Sequence, residues 1–395
     1  MQITEEEKQF IQKNRNKSLA AVALQLSDNQ DINKELILNQ INGLQKVGSK
    51  IPAWRDKDIV FPVKVSLEQC SSEATARYKA TIAKGDRLID GTGGFGTDTF
   101  FLAEKFKRAD HFELNAELSK IVAHNFSILG RDNVQFNNVN SIDFLKENEC
   151  QVDWIYLDPA RRDEAKKKVF LMEDCTPDVK EHLDLLVNRA NNILVKLSPI
   201  MDIKAVASQL RNVQQFWIIA VKNEVKELLF HVGQKEVALN DIQLTCVDLQ
   251  SETLEKTISF SGNLSDRMLF APIGKPSKYL YEPGRAVLKA GLQDKAALDF
   301  DLEKLAQNSN FYTSPDLKED YPGRIFTIEN QIKAKPKIIK KHLSNGKANV
   351  IARNFPMKAS QIYEKFKIVP GGDTYLIATS LEGGEKTVFV CKRLK

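Results

Sequence analysis

Between Asp86 and about Gly262, short apolar runs of strand length alternate with stretches of helical spacing. The runs are Leu88–Asp90, His111–Glu113, Val134–Asn137, Trp154–Leu157, Ile193–Lys196, Phe216–Val221, Ile242–Asp248 and Thr257–Phe260. Helical patterns lie near Asp98–Glu104, Ala116–Leu129, Pro177–Ala190 and Ile203–Leu210. This alternation predicts a parallel sheet covered by helices on both faces, with ligands collecting outside the C-terminal ends of the strands. Upstream, Phe10, Ile11, Leu19, Val22, Ala23 and Leu24, then Ile37, Leu38, Ile41 and Leu44, recur at loose helical spacing. They predict a small helical bundle whose second helix is capped by Asp31 or Asn33. A connector with Pro52, Trp54 and Pro62 follows, and Ser66–Ala80 fits a helix capped by Ser71 or Ser72.

That helix leads into the stretch around which the chain is organised, Asp86-Arg87-Leu88-Ile89-Asp90-Gly91-Thr92-Gly93-Gly94-Phe95-Gly96-Thr97-Asp98. It reads as a buried strand, a glycine turn and the start of a helix through Phe100, Phe101 and Leu102. Gly91, Gly93 and Gly96 fit the spacing G-x-G-x-x-G, where missing Cβ atoms let the backbone approach a nucleotide and the helix pack on the strand. The next strand-like run, Ala109 to Phe112, ends in Glu113, at about the spacing of an acid that hydrogen-bonds ribose hydroxyls. Asp90 separates two ligand classes. A carboxylate before the first glycine repels the pyrophosphate of a dinucleotide and attracts the ammonium group of S-adenosylmethionine. The turn residues Gly91, Thr92, Gly93 and Gly96 are therefore cofactor-binding candidates beside Asp90 and Glu113. The bland reading is a structural turn with Asp90 and Asp98 as helix caps.

Three further strand ends carry polar residues. Asn140-Ser141-Ile142-Asp143-Phe144 follows the third strand; Asp143 is a candidate acceptor for an adenine amino group, or a helix N-cap, or both. Trp154-Ile155-Tyr156-Leu157-Asp158-Pro159-Ala160-Arg161-Arg162 closes the fourth, with proline fixing the exit of the chain. Lys196-Leu197-Ser198-Pro199 closes the fifth on the same rim. Acids at four successive strand ends (Asp90, Glu113, Asp143, Asp158) make a stronger signal than any one motif. Gln69, Ser71 and Lys79, just before the turn, are candidates for lining a cofactor pocket; capping and surface charge explain them equally well.

Composition changes the picture in one respect. Phe326–Lys395 holds fourteen Lys and Arg against five Asp and Glu, although the whole chain is only +5. A regional excess of this kind is the footprint of a polyanion-binding module, or of a solvated basic face. Within it, Ile332-Lys333-Ala334-Lys335-Pro336-Lys337-Ile338-Ile339-Lys340-Lys341 alternates basic and apolar residues, so that Ile338 and Ile339 pack inward and the lysines face out. Gly371-Gly372 reads as a turn into a strand, and Gly383-Gly384 as the turn of a final hairpin. Pro283-Gly284-Arg285 starts a helix in the middle module, with Arg285 a surface residue or a substrate contact. Five scattered cysteines without a C-x-x-C pair fit a reducing, cytoplasmic setting and no metal site. The acidic, polar start of the chain is no secretory signal, and no apolar run approaches the roughly 20 residues of a membrane span.

The segments EQCSSEATARYKA, DGTGGFGTDTFFLA, LDPARRD, EDCTPD, KLSPIMD, PIGKPSKYLYEPGRAVLKAG and ARNFPMKASQIYEKFKIVPGGDTYLIAT together carry a resemblance to a known family. The chain resembles class I S-adenosylmethionine-dependent methyltransferases, and within them a bacterial family with a ferredoxin-like insert and a C-terminal THUMP-like domain. The resemblance runs from about Pro62 to the end. It implies an α/β fold: a Rossmann-like methyltransferase sheet, an N-terminal helical region, and C-terminal α+β ferredoxin-like and THUMP-like modules. The expected division is 1–75 helical region and connector, 76–270 methyltransferase domain, 271–325 ferredoxin-like domain and 326–395 THUMP-like domain. It also implies Asp90, Gly91, Gly93 and Glu113 at the cofactor, Asp143 near adenine, and structured RNA, ribosomal or transfer RNA, as substrate.

The expected catalytic residues are Asp158, Pro159 and Arg161. Amino-directed methyltransferases end the fourth strand in Asp/Asn-Pro-Pro-aromatic, and here the aromatic is missing. The stacking partner then comes from elsewhere, or Arg161 stacks on the base by its guanidinium plane, or Arg161 and Arg162 hold a phosphate. Asp-Pro-x-Arg also resembles the uracil-C5 methyltransferases, for which Cys175 is the nearby nucleophile candidate, more ordinarily a small buried residue. The alternatives to an RNA methyltransferase are a non-catalytic RNA-binding protein on the same fold and a methyltransferase of small molecules or proteins.

Overall fold

The protein is described from a computed structural model covering residues 3–27, 33–55, 57–161, 172–343 and 345–395. It divides into two compact units: the first holds 1–216, 227–237 and 249–257, and the second 217–226, 238–248 and 258–395.

In the first unit, strands β1 (Gly85–Asp90), β2 (Phe106–Phe112), β3 (Val134–Asn137), β4 (Val152–Leu157) and β5 (Ala190–Leu197) pair in parallel in the order β5-β4-β1-β2-β3. Their middles are near-continuous apolar runs, with Leu88, Ile89, Ile155, Tyr156, Ile193, Leu194 and Val195 almost wholly buried. That is what a parallel sheet covered on both faces requires. The chain winds outward from β1 through β2 and β3, then returns to lay β4 on the other side of β1. The reversal opens a crevice at the C-terminal ends of β1 and β4.

The sheet is not wholly parallel, which corrects the expectation. Val213–Val221 (β6) turns back into Glu224–Val232 (β7), and β7 runs antiparallel to β5, Ile193 opposite Val232 and Leu197 opposite Leu228. Lys222 and Asn223 form the two-residue turn, both at positive φ, +50° and +63°. Such a turn suits a twisted hairpin, but its sequence lacks the glycine that usually signals it. With β8 (Gln243–Leu249) and β9 (Thr257–Asn263) the full strand order is β9-β8-β6-β7-β5-β4-β1-β2-β3.

The N-terminal helices α1 (Glu5–Asn14), α2 (Leu19–Gln25) and α3 (Lys34–Lys50) are capped by Thr4, Ser18 and Asn33 and close on Ile11, Val22, Leu26, Ile37 and Ile41. Asn33 is the cap of the last; Asp31 lies outside the described residues. The connector then enters the sheet's own core. Trp54 is buried edge-on against Phe95 and Phe100 at 5.5 and 5.3 Å, and the Asn125 side chain exchanges two 2.8 Å hydrogen bonds with the backbone of Val60.

The helix expected over Ser66–Ala80 is two helices, α4 (Lys64–Gln69) and α5 (Glu73–Ile82). The backbone is extended at Cys70 and Ser72, Ser72 accepts the Thr75 N–H as the cap of α5, and the Ser71 hydroxyl is drawn to Asp98. Helices α6 (Thr97–Leu102), α7 (Ala116–Ile128), α8 (Ser141–Glu147), α9 (Leu183–Arg189) and α10 (Ile203–Gln209) follow the strands. Of these, α9 starts six residues later than its sequence pattern, Pro177–Ala190, suggests.

The second unit contains a seven-stranded sheet. Its strands are β10 (Tyr279–Pro283), β11 (Glu303–Lys304), β12 (Tyr312–Ser314), β13 (Gly323–Ile332), β14 (Lys347–Ala352), β15 (Val369–Ser380) and β16 (Lys386–Arg393), in the order β11-β12-β10-β13-β16-β15-β14. Pairing is antiparallel except between β14 and β15, which the helix α14 (Ala359–Phe366) connects. Helices α11 (Arg285–Ala290), α12 (Gln293–Asp299) and α13 (Pro336–Lys341) complete the unit.

The final hairpin is present, with Gly383 and Gly384 at positive φ between β15 and β16. Gly371 and Gly372, however, lie inside β15 rather than before it. The ladder with β14 jumps from Ala348–Pro370 to Asn349–Tyr375, and their φ of +116° and +79° lets the extra residues loop out. On α13, Ile339 is fully buried and Ile338 half-buried, while Lys337, Lys340 and Lys341, with Lys333 and Lys335 just before the helix, are exposed. No helix of the described residues is long and apolar enough to cross a membrane.

Candidate functional site

The glycine turn stands at the crevice, and nearly all of its backbone donors are taken. Gly91 N–H donates to the Tyr156 carbonyl at 3.0 Å, Gly93 N–H to the Phe112 carbonyl at 2.8 Å, and Gly96 N–H to the Gly93 carbonyl at 2.8 Å. Two more donate to carboxylates: Thr92 N–H to Asp90 at 3.1 Å and Gly94 N–H to Glu113 at 3.1 Å. The second Glu113 oxygen accepts the Asn115 N–H at 2.7 Å. Asp90 also accepts the Thr99 hydroxyl at 2.5 Å. Two acids therefore clasp the turn from the ends of β1 and β2.

Each motif glycine has its own steric reason. A Cβ on Gly93 would lie 2.2 Å from Nε2 of His111, a fully buried ring under the turn. Its missing side chain makes room for the protein's own core, where the sequence pointed to a nucleotide. Gly96 sits at φ +79° and a Cβ there would meet Val122 and Phe126 at 2.8 to 2.9 Å, so it seats α6 on α7. Gly94, at φ +54°, meets nothing closer than 3.9 Å and leaves the crest of the turn open.

The fourth and third strand ends join this centre unequally. Asp158 N–H donates to the Thr92 hydroxyl at 2.6 Å, tying the β4 exit to the turn. The Asp158 carboxylate, about one third exposed, forms an ion pair with Lys196 of β5 at 2.5 Å. Pro159 is half-buried beside it; the Arg161 side chain and Arg162 lie outside the described residues. Cys175 stands opposite Arg161 in a small antiparallel ribbon, Ala160–Arg161 with Cys175–Thr176. At the third strand end, the Ser141 hydroxyl donates to the Gly91 carbonyl at 2.8 Å. The N-cap of α8 is Asn140, which accepts the Ile142 and Asp143 N–H groups, so the cap role considered for Asp143 belongs to its neighbour. Asp143 itself is exposed, 3.8 Å from Lys146.

Beneath the rim lies a buried charge cluster. Lys79 of α5 is wholly buried and places its ammonium 3.0 Å from Asp98, 2.8 and 3.0 Å from the two oxygens of Glu227, and 3.0 Å from the Ser71 hydroxyl. Asp98 also accepts hydrogen bonds from Ser71 and from the Tyr156 hydroxyl, both at 2.7 Å. The electrostatics split two neighbouring acids. Burial pushes Asp90 up to about 7, with further upward pressure from Asp98 and Asp158, against the hydrogen bonds from Thr99 and Thr92. Burial acts on Asp98 in the same direction, but Lys79, Lys196, Tyr156 and Ser71 outweigh it and hold that carboxyl below its ordinary value. Burial would neutralise Lys196; Asp158, Asp98 and Glu227 instead hold its ammonium above the ordinary lysine value. His111 is pushed down to about 4 by burial and stays neutral.

Residues 323–393 match a family described as THUMP domain-like, and residues 279–322 one described as ferredoxin-like domain. No curated protein sequence matches the chain. The crystal structure of a "putative methyltransferase" from Porphyromonas gingivalis W83 is 27% identical and superposes with a TM-score of 0.87 over 100% of both chains. The chain shares the methyltransferase fold of that structure and carries ferredoxin-like and THUMP-like domains. An "rRNA Methylase" from Streptococcus thermophilus (12% identical, TM-score 0.31) covers 42% of this chain and 95% of its own. A "putative methyltransferase" from Streptococcus mutans "in complex with SAH" (13%, TM-score 0.30) covers 41% and 96%. Likeness at that level carries no functional argument.

In this methyltransferase fold the structure brings Asp90, Gly91, Thr92, Gly93, Glu113 and Asp158 together and leaves Asp143 apart on the α8 surface. Sequence reading missed the Asp158–Lys196 pair, whose members it placed on one rim without joining them. It also missed Glu227, on the strand it did not foresee. Lys79, considered as a pocket residue, is instead the hub of the buried cluster. Among the described residues no group of three or more His, Cys, Asp or Glu is arranged to hold a metal ion.

Proposed function

We propose that the protein is an S-adenosylmethionine-dependent methyltransferase acting on a base in structured RNA. One observation carries the cofactor assignment: five N–H groups of the glycine turn are already bonded, two of them to Asp90 and Glu113. A dinucleotide needs free N–H groups there for its pyrophosphate. This turn offers acceptors instead, suited to an ammonium group and to ribose hydroxyls. The fit is chemical as well as steric, since the crest at Gly94 is open. Asp90 and the turn would hold the amino acid end, Glu113 the ribose, and Asp143 the adenine. The bound cofactor supplies an electrophilic methyl group, so the protein's task is alignment and charge placement. Asp158, ion-paired with the Lys196 ammonium, is placed to accept a hydrogen bond from the acceptor amine and orient its lone pair. Pro159 fixes the chain at that point, and Arg161 is the candidate to stack on the base.

The THUMP-like match and the exposed lysines on and around α13 support RNA as the substrate. Titration calorimetry with S-adenosylmethionine and with NAD, followed by methyl transfer to RNA from cells lacking the protein, tests the reading. Binding of the first alone, weakened in Asp90→Ala, is the expected result. Binding of NAD, or of neither, overturns it. Cofactor binding without transfer to any RNA would favour a non-catalytic RNA-binding role or a different acceptor.

A further inference from the structure

Helices α1 to α3 hold no residue of the candidate site, yet positive charge gathers at their turn and ends. Between α1 and α2 runs Lys13-Asn14-Arg15-Asn16-Lys17, three cations in five residues with no acid among them. The backbone of this turn is pinned. Gln45 of α3 donates to the Arg15 carbonyl at 2.9 Å and to the Lys17 carbonyl at 2.7 Å. Asn14 is buried and donates to the Phe10 carbonyl at 2.8 Å, and the Lys17 N–H donates to the Asn14 carbonyl at 2.9 Å. Lys13, Arg15 and Lys17 are all exposed. Arg15 reaches Gln12 at 3.5 Å, and among the described residues none of the three cations has an acid partner.

The charge continues along the last turns of α3. Arg55 donates to the Gly48 carbonyl at 2.6 Å, and Lys50 to the Leu67 and Glu68 carbonyls at 2.8 and 2.6 Å. A carbonyl partner leaves the positive charge uncancelled; only Lys46 is paired, with Glu68. Gln45 to Lys50 covers about 7.5 Å of helix axis, so the pinned turn and these cations are close neighbours. The carbonyls that Lys50 holds belong to the last turn of α4. Two residues beyond that helix, Ser71 bonds Asp98 beneath the crevice.

The fold explains part of this charge. Lys13 and Arg15 at the end of α1, and Lys50 at the end of α4, complement helix dipoles. Lys17 does the reverse, because it immediately precedes Ser18, the N-cap of α2, where a cation is unfavourable. The acids of α1, Glu5, Glu6 and Glu7, occupy its first turn. They stand roughly 12–15 Å along the axis from Arg15, beyond a screening length of about 8 Å at physiological salt. The turn therefore faces water as an uncompensated cationic edge.

We propose that this edge, Lys13, Arg15 and Lys17 with Lys50 and Arg55 beside them, binds the phosphate backbone of the RNA substrate on its way to the crevice. This rests on the RNA reading above and gives the N-terminal helices a task. A rigid row of cations with no aromatic in the turn contacts phosphates and carries no base preference.

The test is a fluorescence-anisotropy titration of labelled transfer RNA and ribosomal RNA fragments over a series of salt concentrations. It compares full-length wild type with the double variants Arg15→Gln, Lys17→Gln and Arg15→Glu, Lys17→Glu. The neutral pair is expected to weaken binding roughly tenfold and to lower the salt slope by about 2, the reversed pair to weaken it further. The melting temperature of the neutral pair stays at the wild-type value, because neither side chain closes an ion pair. Affinity and slope unchanged in both variants would overturn the edge while leaving the RNA reading intact. So would a neutral pair that melts lower and binds RNA as wild type does. A wild type that binds none of these RNAs would remove the RNA reading itself, and the edge with it.

Discussion

The glycine turn of the first unit and the Glu282 ion pairs of the second treat a buried acid in opposite ways. At the turn, carboxylates and carbonyls take up the backbone donors, so few N–H groups are left for an anionic ligand. In the second unit the single buried carboxylate of Glu282 lies between the guanidinium groups of Arg324 and Arg353, so cations outnumber it. Both rely on a buried acid, yet Asp90 is driven toward its neutral form by burial whereas Glu282 is compensated twice over. A buried charge is thus defined by its neighbours and not by its depth. The same contrast appears within a few residues in the first unit, where Asp90 and Asp98 are shifted in opposite directions.

Lys79→Met would break the comparison most severely. Asp98 and Glu227 would be left buried with their central cation gone, a loss of about 3–5 kcal/mol, read as a fall in the urea midpoint. A variant of wild-type stability would mean that the cluster relaxes or hydrates.

Gly93→Ala comes next, at about 2–3 kcal/mol from overpacking against His111. If this glycine served only a ligand, the variant would melt normally and lose cofactor affinity alone, so the two measurements together separate the roles.

Asp90→Asn tests the split between the acids through pH. A carboxyl raised in the folded state supports stability fully below its ordinary value near 4 and loses that support as pH rises through about 7. Urea unfolding at pH 5 and pH 7.5 should show roughly 3 kcal/mol of this decline in wild type and little of it in Asp90→Asn. Asp98, held low, behaves with the opposite sign, its contribution being lost only as pH falls below the ordinary carboxylate range. An unchanged slope in Asp90→Asn would show that Asp90 stays ionised.

The smallest expected effect is at the exposed lysines. The double variant Lys337→Ala, Lys340→Ala should leave melting unchanged and reduce the salt slope of RNA binding by about 1 to 2. A loss of stability instead would make these residues structural.

Much of this was legible in the chain because parallel strands buried on both faces announce themselves as apolar runs, and because acids at strand ends interrupt those runs. The strand Glu224–Val232 was hidden by a turn made from Lys222 and Asn223, which adopt positive φ without glycine. The break at Cys70-Ser71-Ser72 was hidden for a different reason. Its serines look like caps, and one of them is instead recruited by Asp98, a residue that the linear sequence assigns to another helix. Pairs such as Asp158 with Lys196, and Glu282 with Arg324 and Arg353, depend on strand order. A linear reading carries the residues but not their adjacency.

Trp54 adds a consequence in time. Its indole is lodged against Phe95 and Phe100, and the segment after it is stitched to Asn125, so the first sixty residues are the keystone of a vault that is built later in the chain. During synthesis the three helices emerge early with a core of their own, but Trp54 and Val60 have nothing to close upon until the glycine turn, α6 and α7 have followed them. Trimming that region would therefore unroof the turn rather than shorten the protein, and Trp54 fluorescence should report the moment at which the vault closes.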